Sequence, residues 1–288
     1  MQEMTGSKKQ KRILAIHDIS CLGRCSLTVA LPVISAAGIE CTVLPTAVLS
    51  THTGGFSGFT FRDLTGDIHD ILAHWETLGI TFDGIYTGYL GSFEQLDIVS
   101  NIIKRYRSPE CQVIVDPVLG DAGVFYQKFD RHFARGMADL CRQADVIVPN
   151  LTEAAFLLEE DYRPDADASF GAAILHRLYD AFSAKVVLTG FPDDHGGLGA
   201  ATFDGQNTSH TVLPRIEGIY HGTGDVFASA LTAACVLGRS LEEAAAIAVR
   251  YTYSAIEIAY SAKIETRMGV PFEMCTPYLL QLLGIDGR

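Results

Sequence analysis

Residues Gly222–Leu231 read GTGDVFASAL, and this stretch is the strongest signal in the sequence because it joins a pair of glycines to the start of a helix. Glycines let the backbone come close to a ligand. The first turn of the helix presents free N–H groups at the positive end of its dipole, which suits an anion such as a phosphate. Asp225 stands in this turn either as a plain helix cap or as a base that accepts a proton from an attacking hydroxyl.

Upstream of this stretch, apolar strand-like runs alternate with runs of helical period. Strands are predicted at Arg12–His17, Glu40–Thr46, Asp83–Thr87, Gln112–Val115, Val146–Val148 and Lys185–Leu188. Helices are predicted at Ser26–Ala37, Leu64–Leu78, Phe93–Tyr106, Phe129–Arg142 and Asp167–Phe182. Apolar strands alternating with helices imply a mostly parallel sheet that is covered on both faces.

The carboxyl-terminal part of the chain has a different pattern. A β-hairpin is predicted over Gly199–Phe203 and Thr208–Leu213, and two Ala-rich helices follow near Asp225–Leu237 and Leu241–Ala262. No linker or repeat interrupts the chain. We therefore predict an α/β fold with three layers, α/β/α, as a single domain over residues 12–288, preceded by a flexible tail over residues 1–11.

Polar residues follow several of the predicted strands, at the edge where ligands bind in such sheets. Asp116 and Asp121 lie in DPVLGD, where two carboxylates could recruit hydrated magnesium or simply form a turn. Asn150 and Glu153 lie in PNLTE, which has the spacing of a capping box but could also face phosphates and magnesium. The loop STHTGGF at Ser50–Phe56 could cover a ligand or be a plain surface loop.

Composition narrows the classes of function. The formal net charge is -12, so nucleic acid and anionic membranes are not expected as partners. The 7 cysteines form no CxxC pair and several lie in apolar runs, which indicates reduced thiols and a cytoplasmic protein. No GxxxxGK[ST] motif occurs, and no GxGxxG follows the first strand, which argues against P-loop and dinucleotide-binding folds.

Taken together, these segments resemble the ribokinase-like superfamily and, within it, the pyridoxal/pyridoxamine kinases. The resemblance extends from Ile13 to about Ala262. It rests on matches in order to His17-Asp18, Ser50–Phe56, Tyr86–Tyr89, Asp116–Asp121, Pro149–Ala154, Val187–Gly190 and Gly222–Ala228. It implies transfer of a phosphoryl group from ATP, with Mg²⁺ and a monovalent cation such as K⁺ or Na⁺, to the 5′-hydroxymethyl group of a B6 vitamer. It also implies a homodimer.

The resemblance assigns a role to each motif. Asp225 corresponds to the catalytic base at the substrate, and the anion hole corresponds to Gly222, Thr223 and Gly224. Nucleotide or magnesium positions correspond to Asp121, Asn150, Glu153 and Thr189. The metal positions are Asp116, where the family places a monovalent cation, and Glu153. The vitamer pocket corresponds to Thr53 and Tyr89, with Asp18 and Ser20 near the place where many vitamer kinases have a serine.

Two alternatives remain open. Hydroxymethylpyrimidine kinases share the fold but open with a serine- and glycine-rich segment, whereas Ser20–Cys25 here has one glycine. A B6-binding module without turnover is the second alternative, and the intact Asp225 argues against it. A sugar kinase is disfavoured because the amino-terminal sugar-binding pattern and the long β lid of that branch are missing.

Overall fold

Six parallel strands form the centre of a nine-stranded sheet in the computed structural model, which describes residues 9–285. The strands are β1 (Arg12–Leu22), β2 (Glu40–Thr51), β3 (Phe61–Asp63), β4 (Gly84–Thr87), β5 (Gln112–Val115), β6 (Gly120–Asp121), β7 (Val124–Phe125), β8 (Val146–Ile147), β9 (Lys185–Pro192), β10 (Gly197–Phe203) and β11 (Thr208–Pro214). The sheet has the order β11-β10-β9-β8-β5-β4-β1-β2-β3, while β6 and β7 form a separate small hairpin.

Helices cover both faces of this sheet. They are α1 (Leu27–Ala36), α2 (Thr65–Leu78), α3 (Phe93–Tyr106), α4 (Arg131–Cys141), α5 (Leu151–Leu157), α6 (Ala168–Phe182), α7 (Thr223–Val236), α8 (Leu241–Ser261) and α9 (Thr276–Leu283), with 3₁₀ turns at Thr266–Met268 and Phe272–Cys275. The mixed α/β fold with a mostly parallel sheet is as predicted. Within residues 9–285, no helix combines the length and the apolar character needed to cross a membrane.

Alternation along the strands divides the core between the two faces. Leu14 and Val113 pack on the face covered by α2 to α6, whereas Ile13 and Ile114 pack on the face covered by α1, α7 and α8. Because successive side chains of a strand point to opposite faces, every central strand contributes to both cores. The site therefore sits on a sheet that is held from two sides.

Small residues bring α7 close to the sheet. Its inner face is rich in buried alanine, and a Cβ atom at Gly84 of β4 would lie only 2.8 Å from Cγ2 of Val236. A helix that lies this close to a sheet has little freedom to shift, because the packed side chains leave no room. The first turn of α7 is thereby placed firmly over the carboxyl ends of the strands.

Several boundaries differ from the predictions. The first strand runs on to Leu22, so Asp18 and Ser20 lie inside β1 rather than after it, with a register shift between His17 and Ile19. The second strand runs on to Thr51. The short strands β3, β6 and β7 and the last helix were not predicted, because two- and three-residue strands carry no periodicity.

The predicted flexible tail falls mostly outside the described residues, since residues 1–8 are not among them. At its end, the Lys11 ammonium lies 2.8 Å from the Asp83 carboxylate. The assignment of residues 12–288 to a single domain stays a prediction.

Candidate active site

The site is built around the start of α7. Gly222 precedes the helix with a φ of 74°, and a Cβ atom there would lie 1.9 Å from the carbonyl oxygen of Arg24. Only glycine fits this position, for both reasons. Gly224 is exposed, and a Cβ atom there would meet nothing within 4 Å. The first-turn N–H groups of a helix are free donors, so this open space is where an anion could lie.

Asp225 lies in the same turn, as the third residue of α7 rather than the first as predicted. Burial raises the pKa of its carboxyl to about 7, the nearby backbone N–H of Ser26 opposes this rise, and the nearby charge of Asp18 raises the pKa further. A carboxyl with a pKa near 7 can accept a proton and return it at physiological pH. The arrangement therefore fits a general base.

Asp18 and Ser20 form one buried polar unit near the base. The Ser20 hydroxyl donates to Oδ2 of Asp18 at 3.0 Å, and both residues are buried. Burial raises the pKa of Asp18, and the nearby hydroxyls of Ser26 and Ser20 oppose this rise. The structure thus brings both predicted substrate residues together. The Ser20 hydroxyl is therefore engaged in a hydrogen bond to Asp18 and would meet a ligand only together with that carboxylate.

Tyr89 follows β4 at the same end of the sheet. Its carbonyl accepts the Thr46 hydroxyl at 3.2 Å, and its ring lies 5.4 Å from that of Phe129. Burial and the charge of Asp18 raise the pKa of its hydroxyl to about 12, so this group stays a neutral donor. Tyr89 therefore supplies an aromatic wall with a hydroxyl close to Asp18.

Asp116 and Glu153 are two buried carboxylates at the ends of neighbouring elements. Asp116 follows β5, and burial, then the charges of Glu153 and Asp225, raise its pKa well above the usual range. Burial also raises the pKa of Glu153. Because the negative charges of Asp116 and Glu153 repel each other, a bound cation or proton would stabilise the pair. Asp121 is exposed at the end of the β6 strand and lies near enough to Glu153 to raise its pKa.

Glu153 has a structural role that the sequence also predicted. Its two carboxylate oxygens accept the backbone N–H groups of Leu119 and Asn150, each at 2.9 Å, and Asn150 caps α5 in return. The Asn150 amide also donates to the Gly120 carbonyl at 2.9 Å. The capping box is therefore present, and it holds the DPVLGD segment against α5.

Thr189 lies on β9, beside the other predicted nucleotide residues at the carboxyl ends of the strands. Its N–H donates to the Pro149 carbonyl at 2.9 Å, and it forms an isolated parallel bridge with Asn150. Asn150 and Thr189 are half-buried, so both remain accessible from the open edge of the sheet.

The loop that carries Thr53 packs against the residue just before the anion site. His52 accepts the Gly54 N–H at Nδ1 (3.2 Å), contacts the Arg267 carbonyl through Nε2 at 2.7 Å, and its ring lies 5.2 Å from that of His221. A Cβ atom on Gly54 would lie 2.8 Å from Nδ1 of His221. Thr53 itself is half-buried. The loop is thereby fixed beside the start of α7.

The oxygen-bearing side chains at this edge of the sheet were compared with the ligands that Mg²⁺ needs. Within residues 9–285, no three His, Cys, Asp or Glu side chains converge in a group that could hold a metal ion. Mg²⁺ commonly uses only one or two carboxylates and takes its other ligands from waters and substrate phosphates. Asp116 and the exposed Asp121 fit such an open site, while both oxygens of Glu153 already accept backbone hydrogen bonds.

Sequence reasoning missed two residues of this region. Ser26 lies near enough to Asp225 and Asp18 to affect the pKa of each carboxyl, but in the sequence it had the position of an ordinary N-cap. Tyr86 is fully buried beneath α7, and its hydroxyl has no partner of normal hydrogen-bond geometry, although Ser229 lies near enough to affect its pKa. A tyrosine in an apolar strand carries no signal that distinguishes it from a core residue.

Comparison with known proteins agrees with this geometry. The family profile described as phosphomethylpyrimidine kinase matches residues 30–270. The chain is 25% identical over 201 residues to a Schizosaccharomyces pombe protein assigned as a pyridoxal kinase, which is 67% of this chain and 58% of that protein.

Two solved structures are similar over nearly their whole length. A Bacteroides thetaiotaomicron protein assigned as a phosphomethylpyrimidine kinase, in a crystal form with pyridoxal, is 38% identical, with a TM-score of 0.88 and coverage of 94% of this chain and 96% of that one. Pyridoxal kinase from Lactobacillus plantarum is 30% identical, with a TM-score of 0.87 and coverage of 98% and 100%. The chain therefore belongs to the pyridoxal kinase and phosphomethylpyrimidine kinase family of ribokinase-like enzymes.

Proposed function

We propose that this kinase transfers the γ-phosphoryl group of ATP to the 5′-hydroxymethyl group of a B6 vitamer, a step of pyridoxal 5′-phosphate salvage. The observation that carries the proposal is the position of Asp225, whose pKa of about 7 suits a base, in a helix turn that leaves open space over Gly224. The 38% identical relative was crystallised with pyridoxal, which supports the substrate class.

The residues of the site divide the reaction between them. Asp225 accepts the proton of the substrate hydroxyl as its oxygen bonds to the γ-phosphorus and the bond from that phosphorus to the bridging oxygen of ADP breaks. The first-turn N–H groups of α7, at Gly222 to Asp225, stabilise the charge on the moving group. Mg²⁺, when bound, would neutralise phosphate charge. Asp116 and Asp121 are its proposed direct partners, and Glu153, whose oxygens already accept backbone hydrogen bonds, is proposed to act through bound water. Asn150 and Thr189 are proposed to lie toward the nucleotide.

The vitamer ring needs a flat slot with a few polar groups. Tyr89 offers an aromatic wall, and the buried Asp18–Ser20 pair offers a carboxylate and a hydroxyl near it. Thr53, in the loop fixed by His52 and His221, is proposed to close the slot from the other side. These elements lie at one end of the sheet, which is why the substrate hydroxyl can reach Asp225.

Hydroxymethylpyrimidine is the second candidate substrate. The matching family profile is described as phosphomethylpyrimidine kinase, and the 38% identical relative is assigned as a phosphomethylpyrimidine kinase as well. The pyrimidine also carries a primary alcohol on a flat ring, but it is smaller and would leave part of the slot unfilled. The alternative therefore differs in the fit of the ring and not in the chemistry.

Four further features belong to the proposal. The enzyme acts as one domain over residues 12–288, in the cytoplasm, as a homodimer. A monovalent cation, K⁺ or Na⁺, binds near Asp116, whose buried charge a cation would offset. The 7 cysteines are all free thiols, which agrees with a reducing compartment.

One experiment separates the two substrates. kcat/KM is measured for pyridoxal, pyridoxamine, pyridoxine and hydroxymethylpyrimidine under identical Mg²⁺-ATP, by coupling ADP release to an indicator reaction. We expect at least one vitamer to exceed the pyrimidine. A pyrimidine advantage of about tenfold, or about 1.4 kcal/mol in transition-state binding, would reject the vitamer assignment and keep the kinase assignment.

A further inference from the structure

One 3₁₀ turn, Thr266–Met268, is bonded to three separate segments of the site. Its first carbonyl accepts the backbone N–H of His221, just before α7, at 3.4 Å, and its last accepts the backbone N–H of Arg24, between β1 and α1, at 3.1 Å. Its middle carbonyl lies 2.7 Å from Nε2 of His52. The turn therefore holds the loop that carries Thr53 against the two segments that frame the start of α7.

The two hydrogen bonds of His52 fix the state of its imidazole. The Gly54 N–H, 3.2 Å from Nδ1, is a donor, so Nδ1 accepts. The Arg267 carbonyl can only accept, so Nε2 carries the hydrogen and donates to it. One neutral tautomer satisfies both bonds. The ring thereby ties His52 to Gly54 around Thr53, and it ties all three residues to the 3₁₀ turn.

Packing also holds the imidazole of His52 in place. The residue is buried, and its ring lies 5.0 Å from that of Phe56 and 5.2 Å from that of His221. On another side, a Cβ atom at Gly23 would lie only 3.1 Å from Cδ2 of His52. The Arg267 guanidinium lies 5.0 Å from the centre of the Phe56 ring, so the 3₁₀ turn contacts the loop a second time.

Residues 52–60, the loop between β2 and β3, have few other attachments. Bonds between Ser50 and Thr60 close the base of the loop. In the part of the chain that the structure describes, residues 9–285, no hydrogen bond other than that of His52 joins the loop to a segment beyond its own base. The loop contains three glycines, which lose more conformational freedom on ordering than other residues do. The bond of His52 is therefore expected to set how much of the protein has the loop attached.

We propose that His52 is a positioning residue for the vitamer: its bond to the Arg267 carbonyl attaches the Thr53 loop to the Thr266–Met268 turn, and the attached loop is the state that binds the ring. This inference rests on the proposed function, in which Thr53 closes the vitamer slot. Loss of the bond should raise the vitamer KM, because only the attached fraction of the protein binds the vitamer. The ATP KM and kcat should change little, because His52 acts through the loop and not on the phosphoryl group.

Two substitutions separate the bonds of His52. In His52→Asn the side-chain oxygen can replace Nδ1, but the side chain is too short to reach the turn. In His52→Gln the amide nitrogen can replace Nε2 and donate to the Arg267 carbonyl. Loss of one hydrogen bond corresponds to a factor of about three to ten. We expect that rise in the vitamer KM of His52→Asn, with kcat and the ATP KM within about twofold of wild type, and a vitamer KM for His52→Gln closer to wild type than to His52→Asn.

Limited proteolysis gives a second measurement that needs no turnover. Chymotrypsin cuts after Phe56 or Phe59 most readily when the loop is detached, so the rate of cleavage there follows the detached fraction. We expect this cleavage, identified from fragment masses, to be at least about threefold faster in His52→Asn than in wild type, with His52→Gln nearer to wild type. His74→Asn, at an exposed position of α2, is the matched control and should change neither the KM nor the cleavage rate.

The inference fails if His52→Asn has the vitamer KM and the cleavage rate of the wild type, or if His52→Gln is impaired as much as His52→Asn. Faster cleavage with an unchanged KM would mean that His52 attaches the loop but that the loop does not bind the vitamer, which also overturns the inference. A wild-type enzyme that phosphorylates none of the four alcohols would overturn the proposed function. The cleavage rates of the variants would then still decide whether His52 attaches the loop.

Discussion

Replacing Asp225 by Asn should make the protein more stable and almost inactive. Asn has the shape of Asp but can neither carry the charge nor accept the proton. General bases contribute roughly 10²–10⁴ in rate, so kcat should fall at least about a hundredfold. The N–H groups of Gly224 and its neighbours remain, so ATP binding should change far less.

The gain in stability follows from the raised pKa of the half-buried Asp225 carboxyl. A pKa raised from 3.8 to about 7 means that the folded protein binds a proton more tightly than the unfolded chain does. Asp225 therefore costs no stability below pH 3.8, and its cost grows as the pH rises through the range up to about 7. Above that range the cost reaches about 4 kcal/mol as an upper bound, which water at the mouth of the site will reduce.

The assay compares melting temperatures of the wild type and Asp225→Asn at pH 5 and pH 8, beside kcat from coupled ADP release. For a chain of this size, about 1 kcal/mol shifts the melting temperature by about 2–4 °C. The stabilisation by Asn should be larger at pH 8. Asp97→Asn, on the exposed side of α3, is the matched control and should change neither quantity.

Two results would refute this reasoning. If Asp225→Asn retains more than about a tenth of wild-type turnover, Asp225 is not the base. If the difference in melting temperature between Asp225→Asn and the wild type is the same at pH 5 and pH 8, the Asp225 carboxyl does not have the raised pKa that the fold indicates.

Three further predictions concern other parts of the site. Gly222→Ala should lower the yield of folded protein, because its Cβ would meet the Arg24 carbonyl at 1.9 Å, whereas Gly224→Ala should fold normally; equal solubility and melting temperatures would contradict this. Glu153→Gln should lower the melting temperature by about 2–6 °C, because an amide has one acceptor oxygen where the carboxylate has two, one for the Asn150 N–H and one for the Leu119 N–H; an unchanged melting curve would contradict it. Chelation of Mg²⁺ by EDTA should abolish turnover and restored Mg²⁺ should recover it, whereas full activity in EDTA would refute the role given to the strand-end carboxylates.

Sequence patterns predicted the fold where periodicity was strong. The helix Phe93–Tyr106 and the strand Gln112–Val115 have the predicted bounds, because an amphipathic helix and a fully apolar strand are the clearest signals. The end of β1 was missed, since Asp18 and Ser20 interrupt the apolar run although the strand continues to Leu22. Polar residues inside a strand can be recognised as part of it only when their hydrogen-bond partners in the fold are known.

Residues of the candidate site could be predicted only where they belong to a local sequence motif, such as a glycine turn or a helix cap. The pairing of Asn150 with Glu153 was visible as local spacing and is present. Ser26 was not visible as part of the site, because it approaches Asp225 from a segment far away in the chain. Tyr86 was hidden for the same reason: its surroundings depend on how closely α7 approaches the sheet.

The packing of His221 against Gly54 has a consequence for how these enzymes diverge. Gly54 does not have a positive φ, so the imidazole of His221, 2.8 Å from the Cβ position, is the main obstacle to a larger residue there. The two positions, 167 residues apart in the sequence, should therefore covary. Relatives with a small residue in place of His221 would be free to carry a side chain at the position of Gly54, and the loop beside the proposed substrate slot could then change its chemistry.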